Sequence, residues 1–131
     1  RAPSIPEFYS LVNQFGWKQA SEILNSAKKD YPDAPIFKER SLTALGYGFL
    51  RIGRNTSAVK VFNMLVENFP KSANAYDSLA DGYIAIGNKS EAVKNAKLAI
   101  KIANEDSSLD EDRRNRIIKS ANDKLEKLKP E

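Results

Sequence analysis

The sequence predicts an all-α fold: an α-α superhelix, or solenoid, of about three helical hairpins closed by a C-terminal capping helix. Three observations carry this. The chain aligns with itself at an offset of 34 residues. Within each aligned unit, apolar residues recur at the spacing of one helix face. A glycine separates two such helical stretches in every unit, where a left-handed residue can end a helix.

The first unit, residues 4–34, carries Phe8, Leu11, Val12 and Phe15, then Gly16 and Trp17, then Ala20, Leu24 and Ala27 before Pro32. Its second half keeps the phase of the later units. Gly16, however, lies one residue too close to Ala20, and about four extra residues precede the next unit. It reads as a degenerate first repeat, the alternative being a linker helix pair from a preceding domain. Trp17 is expected to pack at the corner of this hairpin.

Residues 39–72 and 73–106 share seven identical positions: Leu45/Leu79, Gly48/Gly82, Ile52/Ile86, Gly53/Gly87, Ala58/Ala92, Val59/Val93 and Lys60/Lys94. In the later unit Tyr76, Leu79, Ala80 and Tyr83 fall at i, i+3, i+4 and i+7, one apolar stripe. Gly46 and Ala80 keep that stripe small where a neighbouring helix must approach. Asn55 and Asn88 are candidate N-caps, Asn88 with Glu91 resembling a capping box, and Ser72 can cap the helix after Pro70. In the last segment, 108–129, Ser108 and Glu111 suggest a capping box. Leu109, Ile117, Ile118, Ala121, Leu125 and Leu128 give a thin apolar stripe on a charged helix. Such a polar-backed helix can close the open face of a repeat stack, giving about seven helices in all.

The pattern resembles the tetratricopeptide repeat. The family's favoured positions are occupied by Leu42, Leu45, Gly46, Phe49, Gly53, Ala58, Phe62, Leu65 and Pro70. In the next unit they are occupied by Tyr76, Leu79, Ala80, Tyr83, Gly87, Ala92, Ala96, Ala99 and Asn104. A local likeness of Asn74–Ala92 to repeats appended to exported bacterial serine hydrolases of the β-lactamase-like or esterase type suggests a second context. There the chain would be an accessory or dimerisation module beside a catalytic domain. Together with the lack of Cys, this leans towards an exported bacterial protein. The N-terminus, RAPSIPEF, is read as the cut edge of a longer polypeptide.

Composition narrows the chemistry. With 41% hydrophobic and 29% charged residues, the chain has the balance of a globular domain, and no apolar run approaches a membrane span. Without Cys or His there is no thiolate or imidazole to activate a nucleophile or ligate zinc. Asp77 and Asp81, one helical turn apart, are the only candidates for paired-carboxylate catalysis. A helix face in water gives such a pair no pocket to split its pKa values. No catalytic residue, metal ligand or cofactor is therefore expected.

The resemblance implies instead a protein-interaction module whose first helices line a concave groove for a peptide or protein segment. Carried onto this chain, the groove positions are Arg40, Thr43, Tyr47 and Leu50, with Arg51 nearby. The next unit supplies Asn74, Asp77, Asp81 and Ile84, and the first unit Ser10, Asn13 and Gln14. Lys and Asn, used by repeats that grip an acidic C-terminal tail, are replaced here by Thr43, Tyr47, Asp77 and Asp81. An acidic C-terminal tail is therefore not the expected partner. Seven basic residues after Glu111 raise nucleic-acid binding, but a solvated charged helix explains them better. Asp77 and Asp81 are expected on a wet face, replaceable by Lys without loss of fold.

Overall fold

Ser4 opens the first helix: its Oγ accepts a hydrogen bond from the Glu7 N–H at 3.2 Å in the computed structural model, which describes residues 1–130. The helix, α1 (Ile5–Asp30), is broken at Gly16, whose φ of 82° and ψ of 169° lie outside helical values. A short 3-10 turn, Pro35–Phe37, leads to α2 (Glu39–Arg51) and α3 (Asn55–Asn68). Then come α4 (Ala73–Ala85), α5 (Lys89–Glu105) and α6 (Glu111–Leu128). Gly16 divides α1 into two helical stretches, which with α2 to α6 make up the expected total of about seven. The fold is all-helical, a packed helical-repeat arrangement.

The chain turns between α2 and α3 and between α4 and α5 in the same way. After α2, the Gly53 N–H donates to Leu50 O at 3.1 Å and the Arg54 N–H to Phe49 O at 2.9 Å. After α4, the Gly87 N–H donates to Ile84 O at 3.1 Å and the Asn88 N–H to Tyr83 O at 2.9 Å. This is the paired 5→2 and 6→1 bonding that a left-handed glycine permits, with φ of 78° at Gly53 and 77° at Gly87.

Two caps are as expected and two are not. Ser72 Oγ accepts from the Ala75 N–H and Asn88 Oδ1 from the Glu91 N–H. Asn55, expected as an N-cap, lies inside α3, and its amide instead reaches Ala85 O at 3.5 Å, tying neighbouring turns together. The expected Ser108–Glu111 box is replaced by Asp110, which accepts from the Arg113 N–H at 2.8 Å. A carboxylate both accepts this bond and meets the positive end of the helix dipole, so it displaces the hydroxyl. Ser108 turns back to donate to Asp106.

The main core is aromatic and leucine-rich. Phe8, Leu24, Leu42, Leu45, Phe49, Phe62 and Leu65 are fully buried, joining α1 to α2 and α3. Trp17 packs at the corner of the first hairpin, edge-on to Phe8 with centroids 5.8 Å apart and to Phe49 at 6.2 Å. Towards the C-terminus the side chains shrink. Ala80, Ala96, Ala99 and Ala121 form one cluster, and Ala73, Ala103 and Ile117 another. Helix α6 lies against α5 and alongside α4, as α4 lies against α3 and alongside α2. It takes the place that the first helix of a further hairpin would occupy.

At Gly46 a Cβ would stand 2.3 Å from the ring of Phe62, which is fully buried and cannot withdraw. At Gly53 a Cβ would meet nothing within 4 Å, so the cost there is backbone conformation alone. Gly46→Ala is expected to destabilise by about 3 kcal/mol through overpacking. Gly53→Ala should cost about 1 to 2 kcal/mol from its left-handed backbone. Urea unfolding of the two variants checks the order.

Candidate functional site

Tyr47, Asp77 and Asp81 come together with two residues of α6 in one polar network. Asn74, Asp77, Asp81 and Ile84 recur every three or four residues, so they share one face of α4. That face does not end in water at its centre. The Lys124 ammonium lies 3.0 Å from Asp77 Oδ1 and 3.4 Å from Asp81 Oδ1. Ser120 Oγ donates to Asp77 Oδ2 at 2.6 Å and accepts from Lys124 Nζ at 2.8 Å. On the α2 side, the Tyr47 hydroxyl donates to Asp81 Oδ2 at 2.5 Å, with Ser78 Oγ 3.2 Å away.

The expectation of a solvated carboxylate face is therefore corrected. Asp77 is only 6% exposed and Lys124 only 9%. The physical reason is that α6 lies alongside α4 and sets its lysine between the two aspartates, where its one positive charge offsets one of their two negative charges. Burial, and then the Asp81 carboxylate, raise the Tyr47 phenol well above its usual pKa. With Tyr47 neutral and its proton held by Asp81, the hydroxyl acts as a structural donor. Charge reversal at Asp77 would bury one cation against another, so the expected tolerance of Lys there is withdrawn.

The other expected groove residues divide. Arg40, Thr43 and Asn74 join Asp77 around an open cleft of about 880 Å³ at the N-terminal ends of α2, α4 and α6. Thr43 is half-buried and its hydroxyl donates back to Glu39 O at 2.8 Å. Arg51 and Ile84 are exposed near the opposite ends of α2 and α4, outside the cleft. Asn13 is also exposed, and its side-chain oxygen accepts from Arg54 at 3.0 Å. Ser10 and Gln14 are exposed on α1.

Sequence reasoning missed Lys71, Arg113 and Arg116, which line the cleft, and Lys124 and Ser120, which close the network. A signal for Lys124 existed. Ile117, Ala121, Lys124 and Leu128 are spaced i, i+4, i+7 and i+11, which puts this lysine inside the apolar stripe of α6. Among the described residues no group of three or more His, Cys, Asp or Glu gathers as a metal site would require, and no helix is long and apolar enough to cross a membrane.

Residues 40–72 match the family model of the tetratricopeptide repeat. The match spans the second helical hairpin: α2, its glycine turn, α3 and the turn into α4. The all-helical repeat arrangement agrees with a tetratricopeptide-like superhelix. No curated protein matches the chain. The hydrolase context expected from Asn74–Ala92 thus rests on the local resemblance alone.

Breaking the network at Lys124 leaves two carboxylates facing each other, one of them buried. Lys124→Ala is expected to cost about 3 to 5 kcal/mol. Lys127→Ala, on the exposed side of the same helix, should stay within about 0.5 kcal/mol. Chemical denaturation monitored by circular dichroism checks the contrast.

Proposed function

We propose that this chain is a non-catalytic interaction module that holds a peptide or protein segment against the face shared by α2, α4 and α6. The observation that carries the reading is the placement of those three helices. Tyr47 bonds across from α2 to α4, and Ser120 and Lys124 bond across from α6 to α4. The three are thereby held side by side as a single surface. Arg40, Arg51, Asn74 and Ile84 are exposed on it, and Thr43 is half-exposed. The tetratricopeptide-repeat match at residues 40–72 supports the same class of function, because repeats of this family generally bind proteins or peptides.

A catalytic reading gains nothing from the aspartates. Their oxygens are engaged by Lys124, Ser120 and Tyr47, whereas a general acid or base must reach a proton on its substrate. The accessory role beside a hydrolase domain is compatible with this surface, and no particular contact favours it.

A photo-crosslinking residue placed at Arg51 or Asn74 tests the reading in the cells that make the protein. Each is expected to give a discrete protein adduct, while Lys94 and Lys97, exposed on α5, give little. Equal yields from both pairs of positions, or adducts from α5 alone, would move the interaction off the α2–α4–α6 face.

A further inference from the structure

We infer that the cleft at the N-terminal ends of α2, α4 and α6 takes an acidic peptide segment carrying apolar side chains. The inference rests on the interaction reading above and names the chemistry of the partner. Arg40, Lys71, Arg113 and Arg116 surround the cleft, and all four are exposed. None of them makes an ion pair among the described residues.

Three carboxylates, Asp77, Asp106 and Glu39, line the same cleft. Asp77 is neutralised from behind by Lys124. Asp106 accepts two hydrogen bonds from Ser108, which hold its carboxyl below the usual range, with Arg114 and Arg113 adding to the effect, so it stays ionised. Glu39 is the remaining one. Four free cations thus face two charges that are not already paired. The repulsion of acidic ligands expected from Asp77 and Asp81 is reduced by Lys124, which offsets one of their two charges.

The first turns of α4 and α6 border the same space through Ala73, Asn74 and Arg113. The α4 dipole, capped only by the neutral Ser72 hydroxyl, adds to the positive potential there, whereas Asp110 already meets the dipole of α6. Phe69, Pro70, Leu109 and Ile117 supply apolar wall between the cations. A volume of about 880 Å³ accommodates a few residues of extended chain rather than a whole domain. Carboxylates can meet the arginines in two-point fashion while neighbouring apolar side chains lie on the wall.

Nucleic acid fits the same surface less well. Of the basic residues on α6, Arg114 is spent on the carbonyls of Ala103, Asp106 and Leu109. Lys119 pairs with Asp123, Lys124 with the two aspartates, and Lys129 with Glu126. No continuous basic stripe remains along the helix to track a phosphate backbone. Of the α6 cations without an ion pair or side-chain hydrogen bond among the described residues, Arg113 and Arg116 border the cleft and Lys127 stands apart near the other end of the helix.

The test uses a short fluorescein-labelled peptide rich in Asp and Glu and carrying two leucines, titrated with the full chain. Saturable binding is expected, weakened about ten-fold or more by Arg113→Glu with Arg116→Glu. Lys94→Glu with Lys97→Glu, the same charge change at the same spacing on α5, should weaken it less than about three-fold. Thermal melting of both variants controls for folding. Equal losses from the two double variants would reduce the effect to net charge and overturn the inference. So would tighter binding of a single-stranded oligonucleotide, or no peptide binding at all. Crosslinking from Arg51, which lies outside the cleft, separates the two claims. If that adduct persists while the acidic peptide fails, the cleft chemistry is wrong and the interaction surface stands.

Discussion

The ring of Phe62 sets the distance between α2 and α4. A side chain at Gly46 would stand 2.3 Å from that ring, and one at Gly82 would stand 3.0 Å from it. Phe62 therefore fills the space that two missing side chains leave on opposite neighbours. Protein interiors tolerate little empty volume and little overlap, so a large residue facing two absences fixes one separation. At that separation the Tyr47 ring lies 5.0 Å from Phe62, centroid to centroid, and its hydroxyl reaches Asp81 on the next helix. The polar network across the surface begins at this contact.

One repeat later the same positions are solved differently. Gly46 and Phe62 correspond to Ala80 and Ala96, so a glycine against an aromatic ring becomes two alanines. Both alanines are fully buried and pack with Ala99 and Ala121 of the neighbouring helices. Alanine interfaces allow close approach but remove little apolar area from water, at roughly 25 cal/mol per Å². Helix α6 therefore docks with a weak apolar term. Its placement depends more on Lys124, which has partners for its charge only when it lies opposite Asp77 and Asp81. A buried ion pair adds little net stability over an apolar substitute, yet it penalises any other register.

The repeat layout was legible because it is local. Two units of 34 residues repeat their glycines and their apolar spacing, and Gly53, Gly87, Ser72 and Asn88 act at the turns and caps where their chemistry places them. The break at Gly16 was legible for the same reason. The surroundings of Asp77 were not. Its burial is decided by a lysine 47 residues away, and nothing in the sequence around Asp77 encodes that distance. Reading α6 as a helix with a polar back was sound, but Lys124 was counted with the back instead of the stripe. That single assignment turned a paired, buried site into an expected wet one. The cleft was hidden similarly, since Arg40, Lys71, Arg113 and Arg116 belong to three separate segments that meet only when α6 docks.

Docking of α6 and the character of the surface are therefore one problem. Lys124 draws the helix in by pairing with the aspartates, and in doing so it offsets one of the two negative charges at the centre of the face. The same docking swings Arg113 and Arg116 to the cleft at the helix's other end. A face that would be acidic with α4 alone becomes basic at one rim once α6 is in place. By linkage, a ligand that touches both α4 and α6 stabilises their contact in proportion to the logarithm of its concentration over its dissociation constant. The alanine-lined joint is where that stabilisation counts most, because it has the least apolar packing of its own. A partner bound in the cleft would thus reinforce the ion pair that creates its binding site.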